Sequence, residues 1–567
     1  MNQTDKDNSI TKAELEIIGN MYRQQRYDAC IKAVKSKLEK TPNSLHLLNY
    51  QAMSYSALKK DKEALLSYQQ IIKKDPTLAG PYYNMGIILK RNGRIEEAID
   101  SYKKALSLKP EYVQVYNNLG VLYKDNEKYE DAIKMFTKAK ELQPDHQNSY
   151  YNLALIKKEQ GQSEEVIELL LKVLDLNPEH KDAKYDIALI TMDNGSLKEA
   201  KQLLEELLSS DEKNQKATVS LANVFVEMGN YKSAISILRK AISISSKNRK
   251  LVHYLGLCLV TIGQFKEGWK AIESLWELED NRASMWYKRA KEIWKGNRTT
   301  KRILLWRRRQ GIGEDIIFLS LVQEVKGMCE TLSVYVDPRL EPLCRRAMPG
   351  INFVKDKEEL KKIEFDFHMP LGSVPGLLRN DIRDFDRTVK GYLKADPERV
   401  EAIRTELNLK GKTAIGISWR SFNSINKTKK SIQLEDMERL FSGLDVVLVN
   451  LQYGDVEDEI REFKDATGIE VVQCASVDNR EDLDGLAALI EVCDLVVSIP
   501  NVTVHLAGAL AKDTWVLLPY VANFWWLLDR TDSIWYPTLR LYRQKKFQDW
   551  STIPQDVKRD LERKFFS

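Results

Sequence analysis

The 567-residue chain divides, by the spacing of its apolar positions, into two stretches of different period. From about residue 11 to about 280, apolar and small residues recur at helical spacing, and proline or glycine interrupts them at regular intervals. Prolines stand at 42, 76, 110, 144 and 178, a constant step of 34. Ala98 and Ala132, Ala105 and Ala139, and Tyr82, Tyr116 and Tyr150 keep the same step, and Gly86 and Gly120 are followed in phase by Ala154 and Ala188. In YYNMGIILKRNGRIEEAIDSYKKALSLKP two helical patterns flank Gly93, and Pro110 closes the unit. The small residues let the paired helices approach closely. The phase is sharp from about 45 to 180 and weaker through Ala200, Ala234 and Gly256. The pattern predicts seven or eight helical hairpins. None buries its own apolar face alone, so they must stack.

After about 295 the step disappears. WKGNRTT reads as the end of a connector over 281–300. ILLWRRRQGIGEDIIFLSLVQEV then gives a short apolar run, a glycine turn and an amphipathic helix. LSVYVDPRLEPLCRRAM repeats the theme, FDFHMPLGSVPGLL is a strand and loop, and DPERVEAIRTELNL is a helix capped by Asp396 with Pro397 at its first position. From 412 a second series follows: KTAIGISW, DVVLVNLQ, IEVVQC, LVVSIP and TWVLLP are β-branched runs separated by helical patterns or turns. Such alternation predicts parallel sheets covered by helices, here in two halves, 301–411 and 412–567, facing across a cleft. Ligands of doubly wound folds sit beyond the carboxyl ends of the strands.

Composition narrows the partners. A formal charge of +5 on this length gives no general case for nucleic acid or an anionic membrane. The six cysteines form no CxxC pair and the six histidines no ligand cluster with them, so neither a disulfide framework nor a zinc site is signalled. The polar N-terminus lacks the apolar segment of a signal peptide, and no stretch approaches a membrane span. A cytoplasmic location is expected.

Two turns carry candidate chemistry. Gly311 and Gly313 permit a tight strand-to-helix turn, and Glu314 and Asp315 follow it at a helix start. A carboxylate there suits proton abstraction, and acids in a first turn also suit the helix dipole. In SIPNVTVHLAGALAK a strand ends at Ile499 and a helix begins near Thr503. Free N–H groups at such a start make an anion site, which His505 would complete. A packed histidine among small residues is the alternative. Gln452 and Tyr453 follow a strand in the second half and suit a nucleotide base or ribose. Trp525 and Trp526 suit stacking on a base or sugar as well as packing, and are not counted as site residues. On the repeats, Asn84, Asn118 and Asn152 recur at the 34-residue step. A carboxamide both donates and accepts, so it can pair with any peptide unit, or it can bond within and between repeats.

The 34-residue unit resembles the tetratricopeptide repeat, whose hairpins stack into a peptide-holding groove. In the similar solenoid of O-linked N-acetylglucosamine transferase, asparagines at the place of Asn84, Asn118 and Asn152 grip an extended peptide. The second half resembles the heptosyltransferase-like glycosyltransferases, and more closely the bacterial proteins that join tetratricopeptide repeats to such a domain. The matching segments are LLWRRRQGIGEDIIF, VDPRLEPL, IGISWRS, KKSIQLEDM, LVNLQYGD, DLDGLAALIEVCDLVVSIPNVTVHLAGAL and LLPYVANFWWLLDRTDSIWYPTLRLYRQ. This implies an α-solenoid followed by a two-lobed Rossmann-like domain of the B-type glycosyltransferase fold. It also implies inverting, metal-independent transfer from a nucleotide sugar, with no cofactor. Glu314 holds the place of the family's base, and Asp315 adjoins it. Asn501, Thr503, Val504 and His505 fall in the donor-diphosphate turn, although many relatives have an aspartate where Pro500 stands. Arg420 and Lys430 belong to a phosphate-holding loop. A protein or peptide acceptor in the solenoid groove is expected, flagellin by resemblance to some bacterial relatives. The rivals are a non-catalytic adaptor with a degenerate transferase domain, and a transferase acting on a glycan or lipid-linked acceptor.

Overall fold

Sixteen helices precede the first strand among the described residues of the computed structural model, which describes residues 10–244, 248–279, 292–307, 311–421, 431–547 and 549–566. The helices form antiparallel pairs. Each pair turns on one residue in the left-handed conformation: Gln25, Lys59, Gly93, Glu127, Gly161, Gly195, Gly229 and Gly263, with φ between 57° and 83°. The constant spacing of these turns carries the repeat to the helix Phe265–Glu279, further than the prolines and alanines reveal. Acids gather in the first turn of the second helix of several pairs, as with Glu96 and Glu97 or Glu164 and Glu165, where they meet the positive end of the helix dipole. Gly120 is small because a Cβ there would stand 2.7 Å from the Phe136 ring.

The chain forms two compact units, 1–190 and 191–567. The first consists of repeats alone, with Leu48, Tyr68, Ile88, Tyr102 and Leu119 in one continuous core. The second joins the later repeats to the α/β region, so the α/β region does not begin a separate body near residue 300. No helix among the described residues is long and apolar enough to cross a membrane.

Two all-parallel sheets follow. The first contains β1 (Glu292–Ile293), β2 (Arg302–Trp306), β3 (Thr331–Tyr335), β4 (Asn352–Val354) and β5 (Phe367–Pro370), in the order β1-β5-β2-β3-β4. Its β1 lies in the segment expected to be connector. The second contains β6 (Thr413–Ser418), β7 (Val446–Asn450), β8 (Val471–Val472), β9 (Leu495–Ser498), β10 (Thr514–Leu518) and β11 (Leu539–Arg543), in the order β11-β10-β9-β6-β7-β8. The chain reverses its direction of winding between β2 and β5 in one sheet and between β6 and β9 in the other. Crevices open at such points, because the two flanking connections leave on opposite faces.

One core runs through the helices of both sheets and into the last repeat, including Trp269, Ile316, Leu486, Val504 and Trp535. Phe265 packs on Phe385 with ring centroids 5.1 Å apart, and Phe385 on Trp535 at 4.9 Å. The Trp269 indole donates to the Arg379 carbonyl at 2.7 Å. Arg379 is fully buried with its guanidinium on Glu324. Trp269→Ala removes both the buried ring and its hydrogen bond. The expected cost is about 3–5 kcal/mol, read as a lower urea midpoint of the full chain.

Candidate functional site

The turn after β2 and the helix after β9 meet. A Cβ on Gly313 would stand 2.7 Å from His505 Cδ2 and 3.3 Å from Nε2, so only a hydrogen side chain lets the two approach. Gly311 has no such neighbour. It caps the helix Ile312–Leu319 with φ −70°, a conformation open to any residue. The carboxyl ends of the two sheets therefore converge on one contact, between a residue of the glycine turn and the histidine of the second candidate turn.

Around that contact the two acids differ. Glu314 is half-buried in the first helical turn, whereas Asp315 is 1% exposed. Arg307, just beyond β2, donates to Asp315 Oδ2 through Nε at 2.9 Å and to Asp337 Oδ2 through a terminal nitrogen at 3.0 Å. Arg339 Nε closes the chain on Asp337 Oδ1 at 3.0 Å. Burial pushes the Asp315 carboxyl up to about 7. The charges of Asp337 and Glu314 add to the rise and Arg307 opposes it. Burial acts on Asp337 in the same sense, but the hydrogen bonds from Arg339 outweigh it and hold that carboxyl below its ordinary range. Arg307, Asp337 and Arg339 were not singled out from the sequence. Their signal is positional: Arg307 and Asp337 follow the ends of the adjacent strands β2 and β3.

In the second sheet most of the expected donor-binding side chains are bonded within the protein. Gln452 is 1% exposed. Its Oε1 accepts from the Ser418 hydroxyl and from the N–H groups of Trp419 and Arg420 at 2.7–3.0 Å, and its Nε2 donates to the Tyr453 carbonyl. Asn501 donates to Ser418 Oγ at 2.7 Å and caps its helix by accepting from the Thr503 N–H at 3.1 Å. These carboxamides tie β6 to its neighbours where the winding reverses. Thr503 and Val504 are fully buried. Arg420 pairs with Glu459 at 3.0 Å and donates to the Asp455 carbonyl. Tyr453, next to Gln452 in sequence, is half-buried. Lys430, with Lys427 and Lys429, lies outside the described residues, as does Gln310.

His505 sits in an aromatic cage. Its ring stacks on Trp526 at 5.5 Å and 16°, meets Trp525 edge-on at 5.8 Å, and holds the Tyr536 hydroxyl at Nδ1 at 3.1 Å. Trp525 and Trp526 thus frame the imidazole.

Two asparagines of the repeats bond to neighbouring helices. Asn118 donates to the Tyr83 hydroxyl at 3.3 Å and Asn152 to Asn117 Oδ1 at 3.0 Å, while Asn84 is half-buried on the helix Ala79–Arg91. One repeat on, Asp186 takes the same place and accepts from Tyr151 at 3.0 Å. From Asn118 onward the series therefore fastens repeat to repeat along the inner helices.

Comparison with known proteins bears out the repeats. Family models for the tetratricopeptide repeat match residues 50–77, 67–100, 113–146 and 157–223, and a TPR repeat model matches 88–126. A model for anaphase-promoting complex, cyclosome, subunit 3 matches 193–275. Protein FlbA of Caulobacter vibrioides is 28% identical over 302 residues, half of each chain, so this chain spans about half the length of the curated relative it matches. Among solved structures, MamA is 25% identical over 30% of this chain and 98% of its own, with a TM-score of 0.27. YrrB, a TPR protein with an unusual peptide-binding site, is 24% identical over 33% of this chain and 96% of its own, with a TM-score of 0.29.

The Asp315 carboxyl makes the fold sensitive to pH. Its pKa is raised from 3.8 to about 7, so its contribution to stability is complete below about 3.8 and is lost as pH rises to about 7. Asp315→Asn removes this dependence. Melting temperatures compared between pH 5 and pH 8 should fall less for the variant than for the native protein.

Proposed function

We propose that this chain is a glycosyltransferase that moves a sugar from a nucleotide-sugar donor to a protein held by its repeats. The observation that carries this reading is the contact of Gly313 with His505, which brings the glycine turn of one doubly wound sheet against the anion-type helix start of the other. A B-type transferase places its acceptor and donor lobes in this relation.

The roles follow from the environments of the side chains. Glu314 takes the proton of the acceptor hydroxyl as its oxygen attacks the anomeric carbon, and the nucleoside diphosphate leaves from the opposite side. Asp315 is the weaker candidate for base because Arg307 holds it inside the protein. It shapes the first turn instead, together with Arg307 and Asp337. The leaving diphosphate is met by the positive end of the helix Val502–Ala509 and by His505. The acceptor lies along the inner helices of the tetratricopeptide repeats, and flagellin is the acceptor that the family resemblance implies.

A second reading has its own support. Gln452 and Asn501 are occupied inside the second sheet, as in a domain that has kept its fold and lost its ligand. The chain is then an adaptor whose repeats are the working part.

The two readings separate in a thermal-shift panel of nucleoside diphosphates and nucleotide sugars on the full chain. The full chain is needed because Phe265 and Trp269 of the last repeat belong to the core of the α/β region. One nucleotide at about 100 times its Kd should stabilise the protein by about 2.7 kcal/mol, and His505→Ala should weaken the response. Stabilisation by none of them, with the protein folded, removes the transferase reading and leaves the adaptor.

A further inference from the structure

Tyr82, Tyr116 and Tyr150 each hold the fourth position of the first helix in their pairs. Two steps of 34 beyond Tyr150 that position, in the helix Gln215–Glu227, is Thr218. The Tyr150 ring has the Lys140 ammonium 5.7 Å from its centre, and its hydroxyl donates to the Pro144 carbonyl at 3.1 Å. The same two steps carry Lys140 to Leu208 and Pro144 to Glu212. Leu208, Glu212 and Thr218 all line one cavity of about 470 Å³. The space that a phenol ring takes in the earlier repeat is left open in this one, because a threonine is too short to fill it. Thr218 is 2% exposed, and its own hydroxyl is spent on the Asn214 carbonyl at 3.0 Å.

The helix Gln215–Glu227 and the second helices of two successive pairs, Leu197–Ser210 and Tyr231–Ile244, wall the cavity. The asparagine series, by contrast, lies on first helices. Leu221, Phe225, Ile237 and Ala241 give the cavity its apolar surface. Its charged lining is two glutamates, Glu205 and Glu212, against one lysine, Lys240. Lys240 pairs with Glu212 at 3.2 Å, and Lys201, outside the cavity, with Glu205 at 3.6 Å. All four side chains are exposed, and such pairs hold weakly.

We propose that this cavity is a docking site for a tyrosine side chain of a protein partner, with a basic residue next to that tyrosine. The partner supplies the ring that this repeat lacks. The ring packs on Leu221 and beside Phe225, and its hydroxyl donates to the Glu212 carbonyl, which corresponds to the Pro144 carbonyl that Tyr150 uses. A phenol has the apolar body and polar tip that such a lining asks for. The excess of acid over base in the lining favours a cationic neighbour. Docking there needs neither a donor sugar nor catalysis, so it stands apart from the transferase reading.

The test is methyl NMR of the full chain with labelled leucine and isoleucine. N-acetyltyrosinamide should shift the methyl signals of Leu208, Leu221 and Ile237, and N-acetylleucinamide at the same concentration should leave them in place. Thr218→Tyr puts the missing ring back into the repeat. This variant should melt at a higher temperature than the native protein, and the tyrosine probe should no longer move the signals. If it does not fold, Ser236→Trp, which closes the cavity from an exposed position, carries the blocking test. No shift with the tyrosine probe, equal shifts with the leucine probe, shifts that persist in a folded variant, or a folded Thr218→Tyr that does not melt higher overturns the site. At low salt N-acetyl-arginyl-tyrosinamide should bind more tightly than N-acetyl-glutamyl-tyrosinamide, and equal or reversed affinities overturn the basic neighbour.

Discussion

A helical hairpin with one apolar face cannot stand alone, and neither can the last hairpin of a stack. An array must end either in a hairpin with a polar outer face or against something that covers its final apolar face. Here the cover is the α/β region. Phe265 and Trp269 enter a core shared with Phe385 and Trp535, and the Trp269 indole donates to a carbonyl at the buried Arg379. Tyr231 of an earlier repeat helix is buried where Arg543 approaches, and Arg543 in turn donates to the carbonyls of Trp526 and Leu527. The repeats from 191 onward and the two sheets consequently form one body. The segment Phe524–Trp526, which frames His505, is held between the repeats on one side and the second sheet on the other.

The site shows how a doubly wound sheet handles the polar groups at its reversal point. Strand ends leave N–H groups without ladder partners, and a buried one is costly. At β6 the Gln452 side chain accepts from two of them and from Ser418, while Asn501 caps the following helix. At β2 the same place is filled by charge: Arg307 bridges two buried carboxylates. The first solution is neutral and rigid. The second leaves Asp315 buried enough that its carboxyl is raised to about 7 in spite of Arg307.

Periodicity made the solenoid legible, because the 34-residue step is repeated often enough to be measured. The left-handed turn residues extend it to Gly263, but Gln25, Lys59 and Glu127 hold the same conformation as the glycines and carry no compositional mark. The alternating β-branched runs announced both parallel sheets, and β1, two residues long, was too short to be seen. Of the candidate site, Gly313 and His505 were found because each sits at a strand-to-helix turn. Their contact was not, since nothing in a sequence says which turn faces which. Gln452 was placed by its position after a strand and Asn501 by its turn, and neither signal tells that their carboxamides are bonded inside the sheet. The asparagine series was read correctly as periodic. Its partners, such as Tyr83 and Asn117, lie one residue short of the same step and emerge only when the helices stack.

The closeness of Gly313 to His505 also limits how this chain can drift. Any side chain at 313 collides with the imidazole, and any bulkier ring at 505 collides with the turn. The two positions therefore form a single steric unit, and substitutions there are not independent. A change that damages the protein by itself at one position becomes tolerable once the other has shrunk to make room. The order in which such changes arise then decides which sequences are reachable, and the glycine stays locked for as long as the histidine is kept.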